Sequence, residues 1–119
     1  MFDYDTTGST VISSDRVNGT AVYGADDRRI GTIDHLVIDK ESGRITYAVM
    51  SFGGFLGIGE DHHPIPWTKL RYDTRLGGYR TDITEEQLRN APERKDDWYR
   101  DRSWEERAYS HYGVPPYWI

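Results

Sequence analysis

The densest group of potential ligands in the sequence is Glu60-Asp61-His62-His63, which follows the glycine-rich run Gly53-Gly54-Phe55-Leu56-Gly57-Ile58-Gly59. Carboxylates and imidazoles bind zinc and related divalent ions, and His35 and His111 lie elsewhere in the chain to complete a set. Adjacent His62 and His63, however, point to opposite sides of an extended strand and do not readily share one ion. Solvated polar residues are the better reading, so no metal and no cofactor is expected. The glycine run invites a phosphate-loop reading, which requires backbone N–H groups at a helix N-terminus and, in its commonest form, a lysine. Here an acidic stretch and prolines follow instead. A structural or partner-facing loop is expected, with Phe55, Leu56 and Ile58 as docking side chains.

Nucleophilic catalysis has little to work with. The chain contains no cysteine, which excludes disulfides, thiolate ligands and thiol nucleophiles. Ser9, Ser13, Ser14, Ser42, Ser51, Ser103 and Ser110 are its serines, and none sits in a Gly-x-Ser-x-Gly elbow. The acidic pairs Asp26-Asp27 and Glu85-Glu86 fall at an expected turn and an expected helix start, where local structure accounts for them. No enzyme activity and no catalytic residue is expected.

The remaining chemistry is aromatic. Trp98, Tyr99, Trp104, Tyr109, Tyr112, Tyr117 and Trp118 crowd the last quarter of a 119-residue chain whose formal net charge is -5. Single-stranded nucleic acid stacks on such rings only where positive charge follows its backbone. Arg94, Lys95, Arg100, Arg102 and Arg107 are offset here by Glu93, Asp96, Asp97, Asp101, Glu105 and Glu106. That balance disfavours nucleic acid and favours protein packing, because Trp, Tyr and Arg concentrate binding energy at interfaces.

The elements that must carry these residues read as β. Thr20-Ala21-Val22-Tyr23 is a short strand between the turn-forming pairs Asn18-Gly19 and Asp26-Asp27. Ile30 to Asp39 is strand-like but loses its alternation, which predicts either cover on both faces or a bulge near Asp34. Lys40-Glu41-Ser42-Gly43 is a tight turn. In Ile45 to Phe52, Ile45, Tyr47 and Val49 face one way while Ala48, Met50 and Phe52 face the other. A strand apolar on both faces wants cover on both, from a terminal arm or from another subunit. Pro64 and Pro66 confine the strand ending at Trp67 to an edge or a barrel corner. Gly77-Gly78 joins a last hairpin, Leu70 to Asp73 and Tyr79 to Asp82. Thr84-Glu85-Glu86-Gln87 has the form of a capping box and opens a short helix through Asn90 that Pro92 closes. Beyond it, a helical period brings Trp98, Tyr109 and Tyr112 together, with Trp104 and Ala108 at the margin and Asp101 and Glu105 interrupting the stripe.

These pieces resemble the PRC-barrel domain family. The likeness lies in Val22-Tyr23-Gly24, Ile30-Gly31-Thr32-Ile33, Leu36-Val37-Ile38-Asp39 and Ser42-Gly43-Arg44-Ile45, and again in Phe52 to Gly59 and Pro64-Ile65-Pro66-Trp67. It covers about residues 14 to 81. The resemblance implies an all-β fold, a small barrel of about six short strands acting as an interaction module, with no shared catalytic residues. The membrane helix of the family's reaction-centre H subunits and the RNA-processing partner domain of its ribosome-maturation members are both missing from the pattern. The chain is similar to the stand-alone bacterial type, which carries an aromatic tail like Pro115-Pro116-Tyr117-Trp118.

The expected organisation is a flexible lead-in over 1–13, a barrel over 14–83, and a helix with an aromatic, partly helical C-terminal arm over 84–119. The expected function is non-catalytic protein binding, as a homodimer and with a further protein that the sequence does not identify. Phe55, Leu56, Ile58, Trp67, Trp98, Trp104, Tyr109, Tyr112, Tyr117 and Trp118 are the contact residues. An RNA- or ribosome-associated factor and a small-ligand or metal-binding barrel are the alternatives. The opening Met1-Phe2-Asp3-Tyr4-Asp5 lacks a signal-peptide pattern, and the longest uncharged run, Ile45 to Gly59, is shorter than the roughly 20 residues of a spanning helix. No membrane insertion and a cytoplasmic location are therefore expected.

Overall fold

A computed structural model of the chain describes residues 10–52 and 62–119. Within them a single turn of helix, α1 (Ser14–Val17), leads into strands β1 (Ala21–Tyr23), β2 (Arg29–Ile38), β3 (Ile45–Ser51) and β4 (His62–Pro66). A 3-10 turn over Trp67–Lys69 joins β4 to the hairpin of β5 (Arg71–Asp73) and β6 (Gly78–Arg80). Helices α2 (Glu85–Arg89) and α3 (Arg102–Tyr112) follow, separated by a second 3-10 turn at Trp98–Arg100. The strands form one sheet in the order β4-β3-β2-β1-β6-β5, with β1 and β6 parallel and every other pair antiparallel.

The sheet differs from expectation in one respect: it is not closed into a barrel. Its two edge strands, β4 and β5, follow one another in the chain across the Trp67–Lys69 turn, yet they form no ladder with each other. The prolines supply the reason at the β4 edge. Pro64 and Pro66 have the same parity, so two donors of one row are missing from a strand already paired to β3 on its other side. β5, with three residues, offers little to close against.

The broken alternation of β2 is a series of bulges. Ile30 is skipped in the register with β1, Asp34 in the register of β2 with β3, and Thr46 on β3 opposite Val37 and Ile38. Each extra residue resets which side chains face inward. Ile30, Ile33 and Leu36 thereby reach the same core as Val22, Ala48, Met50, Phe52, Ile65 and Leu70. Val37 is turned to the opposite face. The turns behave as their residues require, with Asp27, Gly43 and Gly77 all at positive φ. Thr84 and Gln87 form the reciprocal capping box of α2, and Leu88 drops into the core.

At Gly31 the ladder leaves no room for a side chain. A Cβ there would lie 2.5 Å from the Ser51 carbonyl oxygen, a backbone atom held by the sheet. Gly31→Ala should therefore destabilise the fold by about 1–3 kcal/mol, as overpacking does. Urea unfolding measures this, and an unchanged midpoint would contradict the close approach of β2 to β3.

The arm is the second departure in detail. The carboxylate of Asp101 caps α3 by accepting from the Trp104 N–H at 3.1 Å, and Gly113 ends the helix in the left-handed conformation. The helix thus begins after Trp98, which sits on the preceding 3-10 turn instead of on the helical stripe. Tyr109 and Tyr112 part company as well: Tyr112 joins the main core beside Leu88, while Tyr109 belongs to a separate aromatic cluster. Trp104 and Ala108, expected at the margin, are both buried at its centre.

Candidate functional site

The outer face of β3 is where the aromatic residues meet. Tyr47 is 1% exposed and lies in the middle of them. Its ring centroid is 5.1 Å from that of Trp98, 6.1 Å from Trp104, 5.5 Å from Tyr109 and 6.0 Å from Tyr117, mostly edge to face. Such pairs contribute about 0.5–1.5 kcal/mol each beyond the area they bury. Trp118 extends the group through Tyr109 and Tyr117, and the Arg102 guanidinium lies 3.8 Å from the Trp118 ring centroid.

Polar bonds fix the arm's register on the sheet. The Tyr47 hydroxyl donates to the Glu105 carboxylate at 2.6 Å, and Glu105 is buried. Tyr109 donates to the Thr46 carbonyl at 2.8 Å. Thr46 is the bulged residue of β3, so an irregularity in the ladder coincides with an acceptor for the arm. Trp104 Nε1 donates to the Pro92 carbonyl at 3.2 Å, and His111 Nε2 lies 2.7 Å from the Gln87 carbonyl oxygen. Burial, reinforced by the bond to Glu105, pushes the Tyr47 hydroxyl far above its ordinary range. Burial also raises Tyr109, and takes Tyr112 and Tyr117 up to about 12.

The arm therefore covers the second face of β3 from within the same chain. Trp104, Tyr109 and Tyr112, read from sequence as partner contacts, are buried against their own sheet and core. Trp98, Tyr117 and Trp118 are half-buried at the margin of the cluster, and Trp67 is half-buried beside Tyr79 at 5.4 Å between centroids. Phe55, Leu56 and Ile58 lie outside the described residues, as do Glu60 and Asp61. Outside the cluster's centre, Tyr99 is 56% and Ile119 89% exposed. Glu105, which a helical period places as a break in the stripe, is instead an interior acceptor.

A smaller polar group lies at the mid-strand bulge of β2. The Asp34 carboxylate is 2.6 Å from His35 Nδ1 and 3.5 Å from His62 Nε2, and all three side chains are about half exposed. The bond from His35 is the main influence holding the Asp34 carboxyl below its usual value. Among the described residues no three His, Cys, Asp or Glu side chains are placed to hold a metal ion. No described helix is long and apolar enough to cross a membrane.

The fold defines the class: a mostly β domain whose single bulged sheet is backed by short helices. The PRC-barrel domain family model matches residues 9–88, and the chain belongs to that family. An uncharacterized protein of Deinococcus radiodurans is 28% identical over 79 residues, which are 66% of this chain and 28% of that protein. The chain thus spans under a third of this relative's length. Among solved structures, the Pseudomonas aeruginosa protein described as the 16S ribosomal RNA processing protein RimM is similar at 18% identity and a TM-score of 0.42. The match covers 68% of this chain and 49% of that one.

Proposed function

We propose that the chain is a non-catalytic protein-binding module that self-associates through the margin of its aromatic cluster. The observation that carries this reading is the partial exposure of that margin. Trp98, Tyr117 and Trp118 are half-buried, while Tyr99, Ile119 and, next to Val37 on β2, Ile38 stand exposed. Arg100 and Arg102 pack over Tyr99 and Trp118. Rigid aromatic side chains with arginines beside them are the chemistry of interface hot spots, and the cluster beneath holds them in place. A second copy presenting the same patch would bury it across a two-fold axis.

The RNA-directed alternative gains less support. Lys69 and Arg80 line a cleft beside Arg71, but Lys69 is 2.6 Å from Asp82 and Arg80 is engaged by Asp27 and Asp73. A phosphate would have to displace those carboxylates.

Sedimentation over a range of concentrations tests the proposal. The full chain should show a dimer, and Tyr99→Glu combined with Ile119→Glu should weaken it at least about tenfold without lowering thermal stability. A chain that stays monomeric at every concentration, or a dimer indifferent to both charges, would overturn it.

A further inference from the structure

We propose that the cleft between β4, α2 and α3 binds a small amphiphilic carboxylate, a ligand with an apolar body and one anionic end. The cleft has a volume of about 310 Å³, within the range of small-molecule sites. Leu88, Ala91 and Pro92 form one wall; Trp104 and Ala108 of α3 form the other. Leu88, Trp104 and Ala108 are themselves buried, and Trp104 is tethered through Nε1 to Pro92, so the apolar walls are fixed before any ligand arrives. Preformed apolar walls are what the body of a small amphiphilic ligand requires.

The polar residues of the cleft set the sign of charge it accepts. His63, Arg89, Glu93, Arg94 and Tyr112 contribute to its lining. Arg89 is already engaged by Glu85 one turn earlier, and Glu93 is exposed. Arg94 is half-buried and donates to the His62 carbonyl, which uses one of its five N–H donors. The ion pairs among the described residues engage Arg75, Arg80, Arg89 and Arg102, but not Arg94. Its charge acts on the neighbouring Tyr112 hydroxyl, opposing the upward push of burial. A guanidinium with donors to spare beside a tyrosine hydroxyl matches a carboxylate, because its planar fork pairs two oxygens at once. The apolar walls exclude a bare inorganic anion as the best fit, and the guanidinium excludes an amine.

This site is separate from the self-association margin and stands or falls without it. Octanoate, octanol and acetate titrated into the isotope-labelled full chain, with amide signals followed by NMR, provide the test. Octanoate should shift Leu88, Ala91 and Ala108 saturably, with octanol and acetate each at least about tenfold weaker. Arg94→Gln should lose about tenfold for octanoate and little for octanol, with Arg94→Lys in between. Ala91→Phe, at a half-buried wall position, should block the cleft. Thermal unfolding of each variant confirms that it is folded. The proposal is overturned if octanoate produces no saturable shift at these residues, if octanol binds the native chain as tightly, or if folded Arg94→Gln binds octanoate unchanged. The comparison of the three probes on the native chain decides the matter even if a variant fails to fold.

Discussion

Tyr47→Ala is expected to cost about 4 kcal/mol and to free the C-terminal arm from the sheet. The ring is 1% exposed and touches four aromatic side chains of the arm, so truncation empties the centre of that cluster. Large aromatic-to-alanine changes in cores cost about 3–5 kcal/mol, and here the change also strips the buried Glu105 carboxylate of one hydroxyl donor. Such a loss is a large share of a domain's total stability of about 5–15 kcal/mol. Tyr47→Phe separates the two effects. It keeps the packing and leaves Glu105 short of one bond, for about 1–3 kcal/mol. Denaturant unfolding gives both values, and limited proteolysis reports the arm. Cleavage should appear between Asn90 and Asp97 in the alanine variant and not in the phenylalanine one. If both variants unfold at the native midpoint, Tyr47 is not what holds the arm.

Much of this arrangement was legible in the sequence, for reasons tied to particular residues. The two-faced apolar run of Ile45 to Phe52 demanded cover on both sides, and the arm supplies it on the Tyr47 face. The lost alternation after Ile33 marked the bulge at Asp34, and Thr84 with Gln87 marked the start of α2. Closure of the sheet was not legible, because alternation in short strands is the same in an open curled sheet and a closed barrel. Asp101 does not interrupt a helical stripe; it marks the helix boundary. Its carboxylate caps the Trp104 N–H, a role that an Asp three residues before the first buried position signals. Glu105 was hidden more deeply. Its partner lies on β3, and a helical period treats any carboxylate as solvent-facing. The isolated turn α1 buries only Val17 and leaves no periodic trace.

The burial of several tyrosines in one chain should make the fold sensitive to alkali, with stability falling steeply above pH 10. Tyr47, Tyr109 and Tyr112 are at most 4% exposed, and desolvation raises the hydroxyl of each above the ordinary value of 10.0. In the unfolded chain these groups lose their protons near pH 10, whereas in the folded chain they keep them. The unfolded state therefore binds fewer protons above that pH, and each added unit favours it. The stabilisation is fully present below pH 10 and is lost as pH rises toward the folded values, which are about 12 for Tyr112 and higher for the other two. Each tyrosine contributes a slope of about 1.4 kcal/mol per pH unit, so the three together contribute about 4. Against a typical domain stability, unfolding should be complete within about two or three units above pH 10. Tyrosinate absorbance and circular dichroism recorded through the titration should change in one cooperative step. Tyr112→Phe removes one ionisation and should move that step to higher pH. Independent titration of all tyrosines near pH 10, with no loss of structure, would show that the arm does not shield them.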